Sequence, residues 1–307
     1  MNLKQIEEHR SMPLGDYHLC TNGWSEGKLF HTAEQYAFGM ATIALMTLKF
    51  GVKVCSFELM PNHVHMLLTG TGQQCLDCYY YLVKRINKKL KADGYPPLPP
   101  DYGFKLIPIE DDHSLRRHII YLMRNKYEKG VCTPCGHMWG TGYLVYNQLA
   151  GLITGTKVKE MKIRRLERRI GSRIPLPEEW EIHPVLGILP SNNYIDVERI
   201  LILFPTVKDF MTALVKDYES FVRISESTGE TMEWSEPEVK DVLSRLCDVL
   251  FPQKRLYHLT PDEKCRLAVQ ADDKYHIPTH LLARILYISE YIIRQAINSK
   301  DYGFRKR

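Results

Sequence analysis

The stretch Val52-Lys53-Val54-Cys55-Ser56-Phe57-Glu58-Leu59, followed by Met60-Pro61-Asn62 and then His63-Val64-His65-Met66-Leu67-Leu68-Thr69, decides the fold. Two apolar runs of strand length flank a Pro-Asn punctuation, so they read as two strands, Val52 to Leu59 and His63 to Thr69, joined by a tight turn. Working outward, a strand is expected at Tyr17 to Thr21. A helix follows from about Thr32 to Phe50, where Ala33, Tyr36, Met40 and Ile43 recur at helical intervals. Downstream come a helix over about Cys75 to Lys91, a proline-rich loop from Tyr95 to Pro100, a strand from Phe104 to Ile109 and a helix after His113. The order βαββαβα predicts an α+β fold, a ferredoxin-like antiparallel sheet with helices packed on it.

The rest of the chain divides into two further parts. Residues 1–150 form the first domain on this reading; 151–240 are a basic middle region and linker, with Ser225 to Glu233 as the linker; 241–307 are all helical. Thr260-Pro261-Asp262-Glu263 is a capping box with proline at the first helical position.

The 307 residues are 44% apolar, enough for a sizeable core, which excludes disordered and fibrous classes. No run approaches the roughly 18 apolar residues of a membrane span, and Met1 to Gln5 lacks the apolar stretch of a signal peptide. A cytoplasmic location is expected, with the eight cysteines as reduced thiols or metal ligands. Of a net charge of +5, the segment Lys157 to Arg173 carries +6: Lys157, Lys159, Lys162, Arg164, Arg165, Arg168, Arg169 and Arg173 against Glu160 and Glu167. Such a patch neutralises phosphates and gives salt-dependent affinity for nucleic acid. Ile163, Leu166 and Ile170 also make it an amphipathic helix with an apolar stripe, and the two readings are compatible.

On a strand, side chains alternate, so His63 and His65 share one face while Val64 points to the other with Met66 and Leu68. Two imidazoles aimed at one point suit a divalent metal, although a His-x-His pair taken alone is more often a pair of surface or hydrogen-bonded core histidines. The helix expected over about Leu115 to Lys129, with Ser114 as N-cap and Gly130 at its end, adds context. At about 100° per residue, Leu115, Ile119, Leu122 and Met123 fall on one arc, and Arg117, Tyr121 and Asn125 on the opposite one. Tyr121 is therefore expected off the core side of its helix. It lies one turn from Asn125, whose amide oxygen could be a third metal ligand, and one turn from Arg117, which could contact a phosphate. A phenol with pKa near 10 becomes a usable nucleophile when a neighbouring cation stabilises the phenolate. Tyr127 lies on a different arc, and Tyr80 or Tyr81 reads as core of another helix.

Met60-Pro61-Asn62-His63-Val64-His65, with Tyr121-Leu122-Met123-Arg124-Asn125 further on, resembles the signature of the HUH single-strand nucleases, in particular the tyrosine transposases of insertion sequences and their REP-associated relatives. The resemblance covers residues 14–146, including a strand with Tyr17-His18 and a segment with Trp139 after the tyrosine helix. It implies that Tyr121 cuts single-stranded or hairpin DNA, leaving a 5′-phosphotyrosine and a free 3′-hydroxyl, with His63, His65 and Asn125 holding Mg²⁺ or Mn²⁺. Relatives often continue after the Asn with a Pro-Val-Arg-Ala-Gly-like sequence, whereas this chain reads Lys126-Tyr127-Glu128-Lys129-Gly130.

Two Cys-x-x-Cys pairs, Cys75/Cys78 and Cys132/Cys135, have the ligand number and local spacing of a structural zinc site; the other reading is buried thiols. Near the C-terminus, Ile277, Leu282, Ala283, Leu286, Ile288 and Ile292 have the spacing of a helix-turn-helix, with Ser289 capping the second helix. That helix would present Glu290, Tyr291, Arg294, Gln295 and Asn298 to double-stranded DNA. Two functions follow, an active nuclease or transposase and a non-cleaving DNA-binding regulator that keeps the fold. A homodimer is compatible with either, and the sequence does not decide whether Tyr121 serves its own subunit or a partner's.

Overall fold

Alternation along four short strands gives one sheet. The computed structural model describes residues 3–124, 137–141, 155–183, 187–214 and 218–299. By contacts the chain divides into two units, Met1–Leu214 and Val215–Arg307. In the first, the order is α1 (Leu3–Ser11), β1 (Gly15–Thr21), α2 (Ala33–Phe50), β2 (Lys53–Leu59), β3 (Val64–Gly70), α3 (Gly72–Ala92), β4 (Phe104–Ile109) and α4 (Asp112–Arg124). The strands pair antiparallel in the order β2-β3-β1-β4. This is the α+β, ferredoxin-like arrangement expected from the sequence, with two crossover helices and two central strands. Between Gly70 and the start of α3 the chain passes so close to α1 that a Cβ on Gly72 would lie 1.8 Å from the His9 carbonyl oxygen, so only glycine fits there.

Capping and packing explain the helices. Thr32 accepts from the Gln35 amide at the start of α2, and Gly51, at φ 68°, ends it. Thr71 and Gln74 form a capping box at α3, which begins three residues ahead of the Cys75 expected from the sequence. The β1–β3 register, Leu19↔Met66, puts Tyr17, Leu19, Met66 and Leu68 on one face of the sheet. Tyr17, whose phenol feels Cys75 of α3, places that face against the crossover helices. His18, Cys20 and His65 occupy the opposite face, which α4 covers.

Residues after α4 continue the first unit: a two-stranded ladder, Thr156–Lys157 with Glu181–Ile182; α5 (Ile163–Ile170); α6 (Val197–Leu203); and α7 (Val207–Leu214). Arg85 of α3 is buried, lies 4.4 Å over the Phe38 ring and donates to the Ile170 and Gly171 carbonyls, closing the C-terminus of α5. Of the apolar stripe expected on α5, Leu166 and Ile170 are buried, but Ile163 stands 72% exposed at the first helical position, where the chain has only just reached the body.

The second unit holds α8 (Tyr218–Thr228), α9 (Glu236–Leu250), α10 (Pro261–Tyr275), α11 (Thr279–Leu286) and α12 (Glu290–Asn298). The linker expected at Ser225 to Glu233 is corrected in part: Ser225 and Thr228 are buried in the last turn of α8. No helix among the described residues is long and apolar enough to cross a membrane.

Candidate active site: a histidine chain beside Tyr121

The Met60-Pro61-Asn62 turn is pinned by backbone bonds from Trp24 to Asn62 (3.0 Å) and from Leu29 to Pro61 (2.6 Å). It delivers His63 just ahead of β3, which begins at Val64 rather than at His63. The alternation expected for the two histidines holds: His63 Nε2 and His65 Nε2 lie 3.0 Å apart. β1 then adds a histidine that the motif did not flag. His18 Nε2 is 3.0 Å from His65 Nδ1, and His18 Nδ1 is 2.9 Å from Nδ1 of His118 on α4. At the other end, Asn62 Oδ1 is 2.8 Å from His63 Nδ1. Four imidazoles thus form one buried chain from His118 through His18 and His65 to His63.

Hydrogen-bond logic orders the protons along this chain. Asn62 Oδ1 only accepts, so His63 carries its proton on Nδ1 and turns the Nε2 lone pair toward His65. With His65 Nε2–H donating to it, His18 Nε2–H donates to His65 and His118 Nδ1–H to His18. If instead both Nε2 lone pairs face one cation, the proton of His65 sits on Nδ1 and donates to His18, which in turn donates to His118. Either way every buried nitrogen in the chain between His63 and His18 has a partner, as buried polar groups require. Cis ligands on a cation with bonds near 2.1 Å are about 3.0 Å apart, so the His63–His65 spacing fits a divalent metal as well as a hydrogen bond. In the metal-bound tautomer His18 acts behind His65, the usual support for a ligating imidazole.

The environment keeps His118 neutral. Burial first, then His65 and Arg117, push His118 down to about 4. Cys20, opposite His65 in the β1–β3 register, has its sulfur within 4.8 Å of a His65 ring nitrogen.

Tyr121 is 3% exposed, with its ring edge-on to His65 (5.9 Å between centroids, 87°) and to His18 (6.2 Å, 63°). This corrects the expectation that Tyr121 lies off the core: the opposite arc of α4 is covered too, by the sheet, because α4 packs between that face and α7. His118 and Tyr121, three residues apart, share the face toward the sheet. Arg117 is half-buried. The N-cap also differs. Asp111 Oδ1 accepts from the Ser114 amide at 2.6 Å, so Asp111 caps the helix and Ser114 lies inside it. Asn125, Tyr127, Gly130, Cys132 and Cys135 lie outside the described residues.

Residues 137–141 close the edge of β2. The Leu59 amide donates to the Trp139 carbonyl (3.1 Å), the Phe57 amide to Thr141 Oγ1 (2.9 Å), and His137 Nε2 lies 3.2 Å from Glu58 Oε1. Trp139 stacks on Tyr36 at 5.1 Å, and burial with the nearby Glu58 pushes the Tyr36 phenol up to about 12.

Lys157, Lys159, Arg164, Arg165 and Arg168 are exposed; Arg169 is half-buried and donates to the His183 carbonyl. Arg168 and Arg169 line a cleft with Glu34, Phe38, Lys88 and Lys89. Cys75 and Cys78 are buried in α3, where burial pushes Cys75 up to about 12 and Cys78 higher still. Among the described residues no third donor clusters with them. The core tyrosine of α3 is Tyr79, not Tyr80 or Tyr81; Tyr80 is 47% exposed. On α12, Ser289 accepts from the Ile292 amide as expected, and Tyr291, Arg294, Gln295 and Asn298 are exposed, with Glu290 paired to Arg294. Ile292 is exposed; Ile293 and Ala296 face the core instead.

No family model matches the sequence, and no curated protein matches it. Among solved structures, the chain is similar to a REP-associated tyrosine transposase bound to a REP hairpin, with 17% identity, a TM-score of 0.33, and coverage of 40% of this chain and 73% of that one. A likeness of that size carries no argument about activity.

Proposed function

We propose that the chain is a single-stranded-DNA endonuclease and strand transferase of transposase type, acting through Tyr121 with Mg²⁺ or Mn²⁺ at His63 and His65. One observation carries the reading: the paired Nε2 atoms of His63 and His65, 3.0 Å apart, with the Tyr121 ring against His65. Asn125 is the third ligand on this reading. The Tyr121 oxygen bonds to phosphorus, the bond to the 3′-oxygen breaks, and the phenolic proton is exchanged for one on the leaving 3′-hydroxyl. The strand 3′ of the cut stays on Tyr121 through its 5′-phosphate. When bound, the divalent ion supplies charge stabilisation for the phenolate and the phosphorane-like transition state. Tyr121 and His65 of one chain touch, which supports action within a single subunit. Arg117 and the basic residues from Lys157 to Arg169 hold phosphates, and the exposed face of α12 meets double-stranded DNA.

One observation favours a second reading. Tyr121 is 3% exposed, and a nucleophile so covered reaches no strand without local opening of α4. On that reading the chain is a DNA-binding regulator that does not cut. Incubation with Mn²⁺ and single-stranded hairpin DNA labelled 3′ of the cut separates the two: a label retained by denatured protein supports the nuclease, and intact DNA that is bound but uncut supports the regulator.

A further inference from the structure

The helical second unit carries a groove that the proposed chemistry does not use. It is about 550 Å³ in volume and opens between α9, the single turn Leu256–His258, α10 and the end of α11. Its walls include Lys240, Cys247, Arg255, Tyr257, Lys264 and Tyr287. This volume lies within the range of small-ligand sites.

Two features give the groove chemistry. First, Lys240, Arg255 and Lys264 form no salt bridge among the described residues; Glu263 pairs with Lys254 at 2.6 Å, and Glu236, whose carboxylate also feels Lys240, pairs with Arg284 at 2.5 Å. Lys264 is half-buried, so its charge is only partly screened by water. Among the described residues, Asp248 is the one acid on the wall. Second, the rim carries two large aromatic side chains turned to solvent, Tyr257 at 68% and Tyr287 at 89% exposure. Tyr287 is held at φ 55°, the left-handed position that ends α11, where glycine or asparagine is the ordinary choice. Its ring is nearly all in water, so packing within the chain does not offset the backbone strain. Strain of this kind collects where a side chain must be presented.

Cations within a groove and flat rings at its rim are the two elements by which proteins hold an unstacked nucleotide: phosphate on the cations, base against the rings. We infer that this groove binds a single phosphorylated nucleoside, either one nucleotide of a single strand or a free mononucleotide. The inference concerns different residues from Tyr121 and its histidines and stands without them. A protein partner would find the tyrosines attractive but would meet three cations against one acid on the wall, so an anionic nucleotide fits better.

The test uses the full chain carrying Tyr121→Phe, so that cleavage, if any, plays no part. A short oligothymidylate containing one 5-iododeoxyuridine is crosslinked by near-ultraviolet light, and tryptic peptides are sequenced by mass spectrometry. Adducts on Tyr257 and Tyr287 are expected, both reduced roughly tenfold in a Lys240→Gln/Lys264→Gln protein, and the Tyr287 adduct is retained in Tyr257→Phe. Unlabelled oligothymidylate and free thymidine monophosphate are the competing arms. Competition by the strand alone identifies a stretch of single strand as the ligand, and equal competition by the mononucleotide identifies a free nucleotide. Adducts confined to Tyr291 or to the first unit, or adducts at Tyr257 and Tyr287 that the double lysine change leaves untouched, would overturn the inference.

Discussion

The ring of Tyr121 stands edge-on to that of His65, 5.9 Å away, while His65 itself is gripped from both sides, by His63 Nε2 and by His18 Nε2, each at 3.0 Å. The aromatic that the proposal makes a nucleophile and the imidazole that it makes a ligand are therefore positioned by the same three elements, β1, β3 and α4.

His18 is the first consequence. It touches neither DNA nor metal on this account, yet it fixes which nitrogen of His65 carries the proton. His18→Phe is expected to weaken Mn²⁺ binding by about 10- to 100-fold without removing a ligand. Titration followed by electron paramagnetic resonance measures this, and unchanged affinity in a folded variant would remove His18 from the role. Because the change also strands the Nδ1 atoms of His65 and His118, a loss of roughly 1–3 kcal/mol in stability is expected for each group left without a partner.

His118 gives a pH dependence with a definite sign. Its folded-state pKa lies near 4, below the ordinary 6.5. The unfolded chain therefore takes up a proton that the folded chain refuses, and stability is lost as pH falls from about 6.5 towards 4, at most on the order of 3 kcal/mol. Denaturant unfolding across that window is expected to show a slope that His118→Gln reduces. A slope identical in the two proteins would assign it to other groups.

The exposed arginines of α5 predict a salt effect. Changing Arg164, Arg165 and Arg168 to glutamine leaves Leu166, Ile170 and the Arg85 cap in place, so folding is expected to be kept. The slope of log affinity for single-stranded DNA against log salt should fall by roughly one for each phosphate that the variant no longer neutralises. An unchanged slope, measured by fluorescence anisotropy, would place the phosphate-binding cations elsewhere.

Much of this site was legible because its signals are local. Alternation put His63 and His65 on one side, and the element order implied the sheet. His18 and His118 were not visible in the same way. His18 joins His65 only through the β1–β3 register, a pairing across 47 positions that no local pattern encodes. His118 did carry a signal, three residues before Tyr121, but arc counting at four-residue spacing favoured Arg117 and Asn125 instead. Tyr121 read as off the core because helical periodicity tells which residues share a face, not how many faces are covered, and α4 is packed between sheet and α7. The same limit explains Ile163, at the unpacked start of its helix, and Ile292, which lies one position off the face that buries Ile293 and Ala296. α1 has little amphipathic pattern and is held by its approach to Gly72.

The most direct measurement of the central claim is covalent. Single-stranded hairpin DNA labelled 3′ of the cut is incubated with Mn²⁺ and the unchanged protein or Tyr121→Phe, and both are run under denaturing conditions. Replacing the phenol by a phenyl ring removes one oxygen and leaves the packing against His65 and His18, so metal and DNA binding should be nearly unchanged. The account predicts label on the unchanged protein and none on Tyr121→Phe. A labelled Tyr121→Phe protein, or an unchanged protein that binds the DNA and never carries label, would contradict it.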